Sequence, residues 1–96
     1  MNTLNKPELL QVNDGVSFKV LQITGKAGMK MPMHYATKEV VIIVQKGSAL
    51  LSMPDKEYVL KEGDHFIIPA IMNHHLLLKT DFEAIAVMLQ DSTIKF

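Results

Sequence analysis

The chain has 96 residues, no cysteine, and ten basic residues balanced by ten acidic ones. That is enough for one domain with one core, and a core of this size buries roughly 60–70% of the extended-chain surface. A neutral, unblocked charge distribution argues against nucleic-acid or anionic-lipid binding, and the lack of cysteine excludes a disulfide framework, a thiol nucleophile and a zinc finger.

In chain order, residues 1–9 read as a loose arm without the apolar core of a signal peptide, and no apolar run approaches membrane length. A cytoplasmic protein is the expectation. Leu10 to Val12 is a short strand candidate, and Asn13-Asp14-Gly15 is a hairpin signal, because Asp-Gly tolerates positive φ. Val16, Phe18 and Val20 alternate with polar residues as a half-buried strand does. Leu21 and Ile23 then move the apolar side, which points to a bulge or to cover on both faces.

Pro32 opposes a helix or a central, fully paired strand over Met29–His34. Val40-Val-Ile-Ile-Val44 is a β-branched run without alternation, the pattern of a strand covered on both sides. Lys46-Gly47, Pro54-Asp55-Lys56, Lys61-Glu62-Gly63-Asp64 and Lys79-Thr80-Asp81 are turns, with Gly63 at positive φ. The strands between and around them are Ala49–Met53, Tyr58–Leu60, Phe66–Ile68, His74–Lys79 and Phe82–Leu89. Sustained helical spacing is missing. Eight or nine short strands make an all-β sandwich or barrel.

Two histidine-bearing segments stand out, Gly28 to His34 with Gly47 beyond, and Gly63 through Pro69 to His74. In their spacing these six residues resemble the two motifs of the cupin superfamily, and the likeness spans residues 16–89. The resemblance implies one cupin-type jelly-roll β-barrel over residues 1–96. It also implies a metal held by two histidines and a glutamate of the first motif and the histidine of the second. Here the second histidine position is Ala36 and the glutamate position is Val40, while the second motif's glycine and asparagine positions are Ile71 and Leu78. Of the four implied ligands His34 and His74 remain. No cofactor is expected beyond a weakly held divalent metal on those two.

Glu39, one residue from the glutamate position, points to the other face unless a bulge at Thr37-Lys38 re-aims it. His65 and His75 read as surface or interface residues. With His34 and His74 inward, strand parity adds Pro32, Ala36, Val40, Ile42, Val44, Met72, Leu76 and Leu78 to the interior. That lining suits an apolar small-molecule pocket with two polar points, and equally a filled core. Met72 could offer a thioether to a soft ion, though methionine more often fills core gaps. Met29, Met31, Met33, Val41 and Ile43 take the outward parity, an apolar patch that most simply implies an isologous homodimer, with the N-terminal arm as the alternative cover.

The functional expectation is a non-catalytic or vestigial cupin that binds a small molecule near His34 and His74. The alternative is a metal-dependent dioxygenase or isomerase with an altered ligand set. A third possibility is a partner protein that acts through its apolar outer face.

Overall fold

β-Branched and leucine-rich runs cut by glycine and proline become strands throughout the computed structural model, which describes residues 6–96. The strands are β1 (Glu8–Asp14), β2 (Phe18–Gly25), β3 (Lys30–Ala36), β4 (Val40–Lys46), β5 (Ser48–Met53), β6 (Lys56–Lys61), β7 (His65–Ile68), β8 (His74–Leu78), β9 (Phe82–Leu89) and β10 (Ile94–Lys95). All pairings are antiparallel, in two sheets ordered β1-β2-β9-β4-β7 and β10-β3-β8-β5-β6. This is the expected all-β jelly roll, with the sheets face to face rather than hydrogen-bonded into one closed cylinder. Among the described residues no helix is long and apolar enough to cross a membrane.

Residues 1–5 of the expected arm lie outside the described residues. Glu8 and Leu9 belong to β1, and Leu9 packs against the core. Asp14 pairs with Lys19 and the Gly15 N–H donates to the Phe18 carbonyl (2.7 Å), so the first hairpin closes without positive φ at Gly15.

The change of apolar side along β2 has a simple cause. Leu21 and Ile23 face the core, whereas Phe18 and Val20 lie on the outer face, and the bulge falls in the partner strand between Gln11 and Asn13. β4 likewise alternates: Val40, Ile42 and Val44 are buried, while Ile43 on the other side is 39% exposed. Its unbroken β-branched run therefore reflects two apolar faces, one of them uncovered in the single chain.

The core lies between the sheets. Phe82, Leu51, Leu78, Met88 and Val44 are its most completely buried large side chains, each contributing about 1.5–3 kcal/mol by leaving water. Met31 and Met88 are core residues, and Met29 and Met53 pack against the core, which fits the gap-filling role of a flexible thioether.

Gly47 sits where the chain leaves the first sheet after β4 and enters the second at β5. The return crossing, from β8 to β9, passes the same point. The Lys79 N–H donates to the Ser48 carbonyl (2.9 Å), and the Ser48 N–H donates to Thr80 Oγ1 (3.0 Å). Gly47 has φ 80°, and the space a side chain would need holds the Asp81 carbonyl. Two crossings pack together only because one residue there has no Cβ.

The outer face of the β1-β2-β9-β4-β7 sheet carries one continuous apolar row and beside it an apolar pair flanked by polar residues. Val41 lies between Ile67 and Val87, and Val87 pairs with Val20. Ile43 lies between His65 and Ile85, and Ile85 pairs with Gln22. None of the three methionines expected beside it joins this patch, because β3 lies in the other sheet: Met29 packs against the core, Met33 is exposed on β3, and Met31 also departs from its expected parity. A bulge between Met31 and His34 lets Met31, His34 and Ala36 all turn inward.

Candidate functional site

The same bulge builds the site. It brings His34 of β3 directly opposite His74, the first residue of β8. Their rings meet edge to face, with centroids 4.2 Å apart and planes at 63°. Both residues are buried, at 8% and 5% exposure. Each ring repeats one local arrangement: Nδ1 of His34 donates to the Pro32 carbonyl (2.7 Å), and Nδ1 of His74 donates to the Met72 carbonyl (2.8 Å). A carbonyl can only accept, so Nδ1 carries the proton in both rings and Nε2 presents a lone pair. Neither Nε2 has a partner among the described residues, and neither is sealed from accessible space.

Burial lowers the pKa of both imidazoles. The backbone hydrogen bonds oppose this, and for His74 the neighbouring His34 and His75 add to it. In the unfolded chain both would ionise near 6.5, so as pH falls below that value the unfolded state takes up protons first. The contribution to stability is thus complete above the unfolded pKa and is eroded as pH falls toward the folded values. The melting temperature is expected to fall as pH drops below about 6.5 more steeply than in a His34→Phe/His74→Phe variant. Parallel calorimetric profiles for the two proteins would contradict this assignment.

Both rings open onto a cavity of about 50 Å³ between the sheets. Of the residues expected there, Ala36, Val40, Ile42 and Leu76 line it with His34 and His74. Met72 and Leu78 do not. Met72 is half-buried and supplies only its carbonyl, while Leu78 is packed deeper in the core. Val44 is likewise core, and Pro32, at the bulge, is half-buried. The wall is completed from strands outside the two motifs, chiefly Leu21 and Ile23 of β2, Leu51 of β5, and Ala86 and Met88 of β9. Parity within β3, β4 and β8 could not reveal these, because they face the site across the core.

Ile94 is another lining residue that motif spacing misses. β10 pairs with β3 through Ile94–Ala36 and Lys95–Tyr35. The Thr37 N–H donates to the Thr93 carbonyl (3.0 Å), the Lys38 N–H to Ser92 Oγ (3.3 Å), and Lys19 Nζ to the Ser92 carbonyl (2.9 Å). This strap lays Ile94 against the cavity and brings the Phe96 ring to 5.0 Å from that of His34.

The donor set does not fit a tightly held transition metal. Catalytic zinc takes three protein ligands, and the iron facial triad takes two histidines and a carboxylate. Here the positions where the resemblance would put the second histidine and the glutamate are Ala36 and Val40, which line the same cavity as His34 and His74. Glu39 is exposed and is not re-aimed, since the bulge lies before His34 rather than at Thr37-Lys38. His65 is exposed at the start of β7, and His75 is half-buried on the outer face opposite Ser52. Among the described residues no three His, Cys, Asp or Glu side chains cluster as a metal site.

One further residue marks the mouth. Ile71, in the second motif's glycine position, has φ 55° and is 70% exposed, and its N–H donates to the Ala36 carbonyl (2.8 Å). A β-branched residue in the left-handed region is strained by about 1–3 kcal/mol. Ile71→Gly relieves that strain and loses part of the gain to the entropy of glycine. A net stabilisation of about 1 kcal/mol is expected, read as a rise in melting temperature of about 4–8 °C. A lower melting temperature would mean that Ile71 makes contacts worth more than its strain.

The family profile described as "Cupin domain" matches residues 21–89. No curated protein matches the chain. Among solved structures, a cupin superfamily protein from Desulfitobacterium hafniense is 15% identical with a TM-score of 0.81, over 95% of this chain and 84% of that one. An RmlC-like cupin protein from Desulfovibrio desulfuricans is 21% identical with a TM-score of 0.76, over 88% and 82%. The polyketide cyclase RemF from Streptomyces resistomycificus is 17% identical with a TM-score of 0.82, over 94% and 70%. At these identities the likeness shows the fold.

Proposed function

The chain belongs to the cupin family, and from that premise we propose that it is a non-catalytic cupin that binds a small molecule in the apolar hollow beside His34 and His74. One observation carries this reading. Two imidazoles with outward lone pairs open onto an apolar cavity whose other walls offer no carboxylate, hydroxyl or thiol. Apolar walls with a few convergent polar points are the usual composition of a ligand pocket. The same wall leaves chemistry without a general acid or base other than the two histidines.

The second reading is a metal-dependent cupin enzyme with an altered ligand set. It draws on the locked tautomer, because a histidine that donates Nδ1–H to a carbonyl presents Nε2 as metal-binding histidines do. Two such ligands hold a divalent ion only weakly. Elemental analysis of protein purified without a metal-affinity tag, beside a thermal-shift screen of small neutral metabolites, tests both readings. Substoichiometric metal with stabilisation by an organic compound supports the pocket reading. Near-stoichiometric metal that disappears in His34→Ala would replace it with the enzyme reading.

We further propose a homodimer in the cytoplasm, joined through the outer face that carries Val41, Ile43, Ile67, Ile85 and Val87. A row of β-branched residues with no charge among its central members suits a self-complementary, two-fold contact. Sedimentation at micromolar concentration is expected to give the mass of two chains, and Ile43→Lys with Ile67→Lys the mass of one. A wild-type mass of one chain would reject the dimer.

A further inference from the structure

We propose that the ligand of the His34–His74 pocket is a neutral, mostly apolar molecule with one hydroxyl group, an alcohol or phenol, which donates its proton to an Nε2 lone pair. This deepens the pocket reading above and rests on it. Both Nδ1–H groups are spent on the Pro32 and Met72 carbonyls, so each of these two cavity-lining rings keeps an acceptor, Nε2, and no free donor. No other lining side chain supplies a donor, because the rest of the wall is aliphatic or thioether. The pocket therefore lacks one thing, a hydrogen-bond donor, and the ligand brings it.

Three kinds of occupant are separated by this arrangement. A carboxylate would set its lone pairs against those of the imidazoles and bury a charge with no cation in the wall, which is costly. A hydrocarbon of the same shape would fill the wall but leave both Nε2 atoms unpaired, and a site built to hydrogen-bond a hydroxyl discriminates against the analogue lacking it. A hydroxyl compound satisfies one Nε2 and buries its apolar part against Leu51, Ile42 and Met88.

Size sets a further condition. The cavity is about 50 Å³, whereas a hollow that takes benzene measures about 150 Å³. A ring-sized ligand thus needs the wall to yield, and its least-paired member is Ile94, held to β3 in the two residue pairs of β10. Binding and release of the strap are then one event.

Phenol, toluene and benzoate, close in shape, are to be titrated into ¹⁵N-labelled full-length protein. The backbone amide of Ile94 and the imidazole nitrogens are followed by NMR. Phenol is expected to saturate at a concentration about tenfold below toluene, to shift an Nε2 resonance toward the hydrogen-bonded position, and to move the Ile94 amide. Benzoate is expected not to bind. Free protein should show both rings protonated at Nδ1. Equal binding of phenol and toluene without an imidazole shift would overturn the donor requirement while leaving the pocket reading intact, as would preferential binding of benzoate. Failure of all three, with water as the sole occupant, would remove the pocket reading as well. His74→Phe should reduce the preference for phenol over toluene. If that variant does not fold, the nitrogen shifts of the unaltered protein decide.

Discussion

A variant with Ala36→His and Val40→Glu is expected to bind zinc at least about 100-fold more tightly than the unaltered chain. Both positions already face the right hollow. Ala36 lies two residues from His34 on the same face of β3, Val40 opens β4, and both line the cavity onto which His34 and His74 open. Two added donors raise the protein ligands from two to four, and each new ligand also removes an apolar group from the metal's surroundings. Without metal the substitutions bury a carboxyl and an imidazole in an apolar wall, so the metal-free variant should lose about 2–4 kcal/mol of stability. Zinc should then restore more melting temperature than it adds to the parent. Calorimetric titration and melting in chelator against zinc read both effects. A destabilised variant indifferent to zinc would mean that the four positions do not converge.

Gly47→Ala should cost about 3–5 kcal/mol, a large share of the roughly 5–15 kcal/mol that holds a domain folded. Two penalties coincide at this residue. Its φ of 80° lies in the left-handed region, and a Cβ would meet the Asp81 carbonyl, which is backbone and cannot rotate aside. Moving that carbonyl would disturb the Ser48, Lys79 and Thr80 hydrogen bonds that join the two sheet crossings. Gly28→Ala is the control. Gly28 has φ 91° but nothing within 4 Å of the added carbon, so only the backbone penalty of about 1 kcal/mol applies. Urea melts of the two variants should differ by several kilocalories, and equal losses would show that crowding at Gly47 is relieved by a small shift.

Most strands were legible from local signals because they are short and bounded by glycine, proline or a charged turn, but β3, with Pro32 inside it, and the two-residue β10 were not. The facing of His34 and His74 was legible only through the resemblance of the two segments to the cupin motifs. What local reading could not give was the bulge before His34. Nothing in Met31-Pro32-Met33 states that one residue will be skipped in pairing with β8, and that skip reverses the side on which Met31 lies. The β-branched run of β4 was ambiguous for a different reason. A strand covered on both faces and one with an uncovered apolar face have the same composition, so Ile43 could be located only by its neighbours Ile85 and His65.

The rest of the site comes from long-range pairing. Leu21, Leu51 and Met88 reach the cavity from strands distant in sequence, and Ile94 reaches it through a strand of two residues that carries no propensity signal. Ile71 shows the opposite case. Its place in the second motif marked a glycine position, and the backbone keeps the left-handed conformation even with isoleucine there. The fold imposes that geometry through the Ile71–Ala36 hydrogen bond and tolerates the strain.

The Phe96 ring, tilted by 39° over His34, gives the strap an intrinsic spectroscopic label. Aromatic shielding displaces the carbon-bound protons of His34, and the displacement vanishes when Phe96 swings clear. A single imidazole resonance therefore reports the fraction of molecules with the cover lifted, without any added probe.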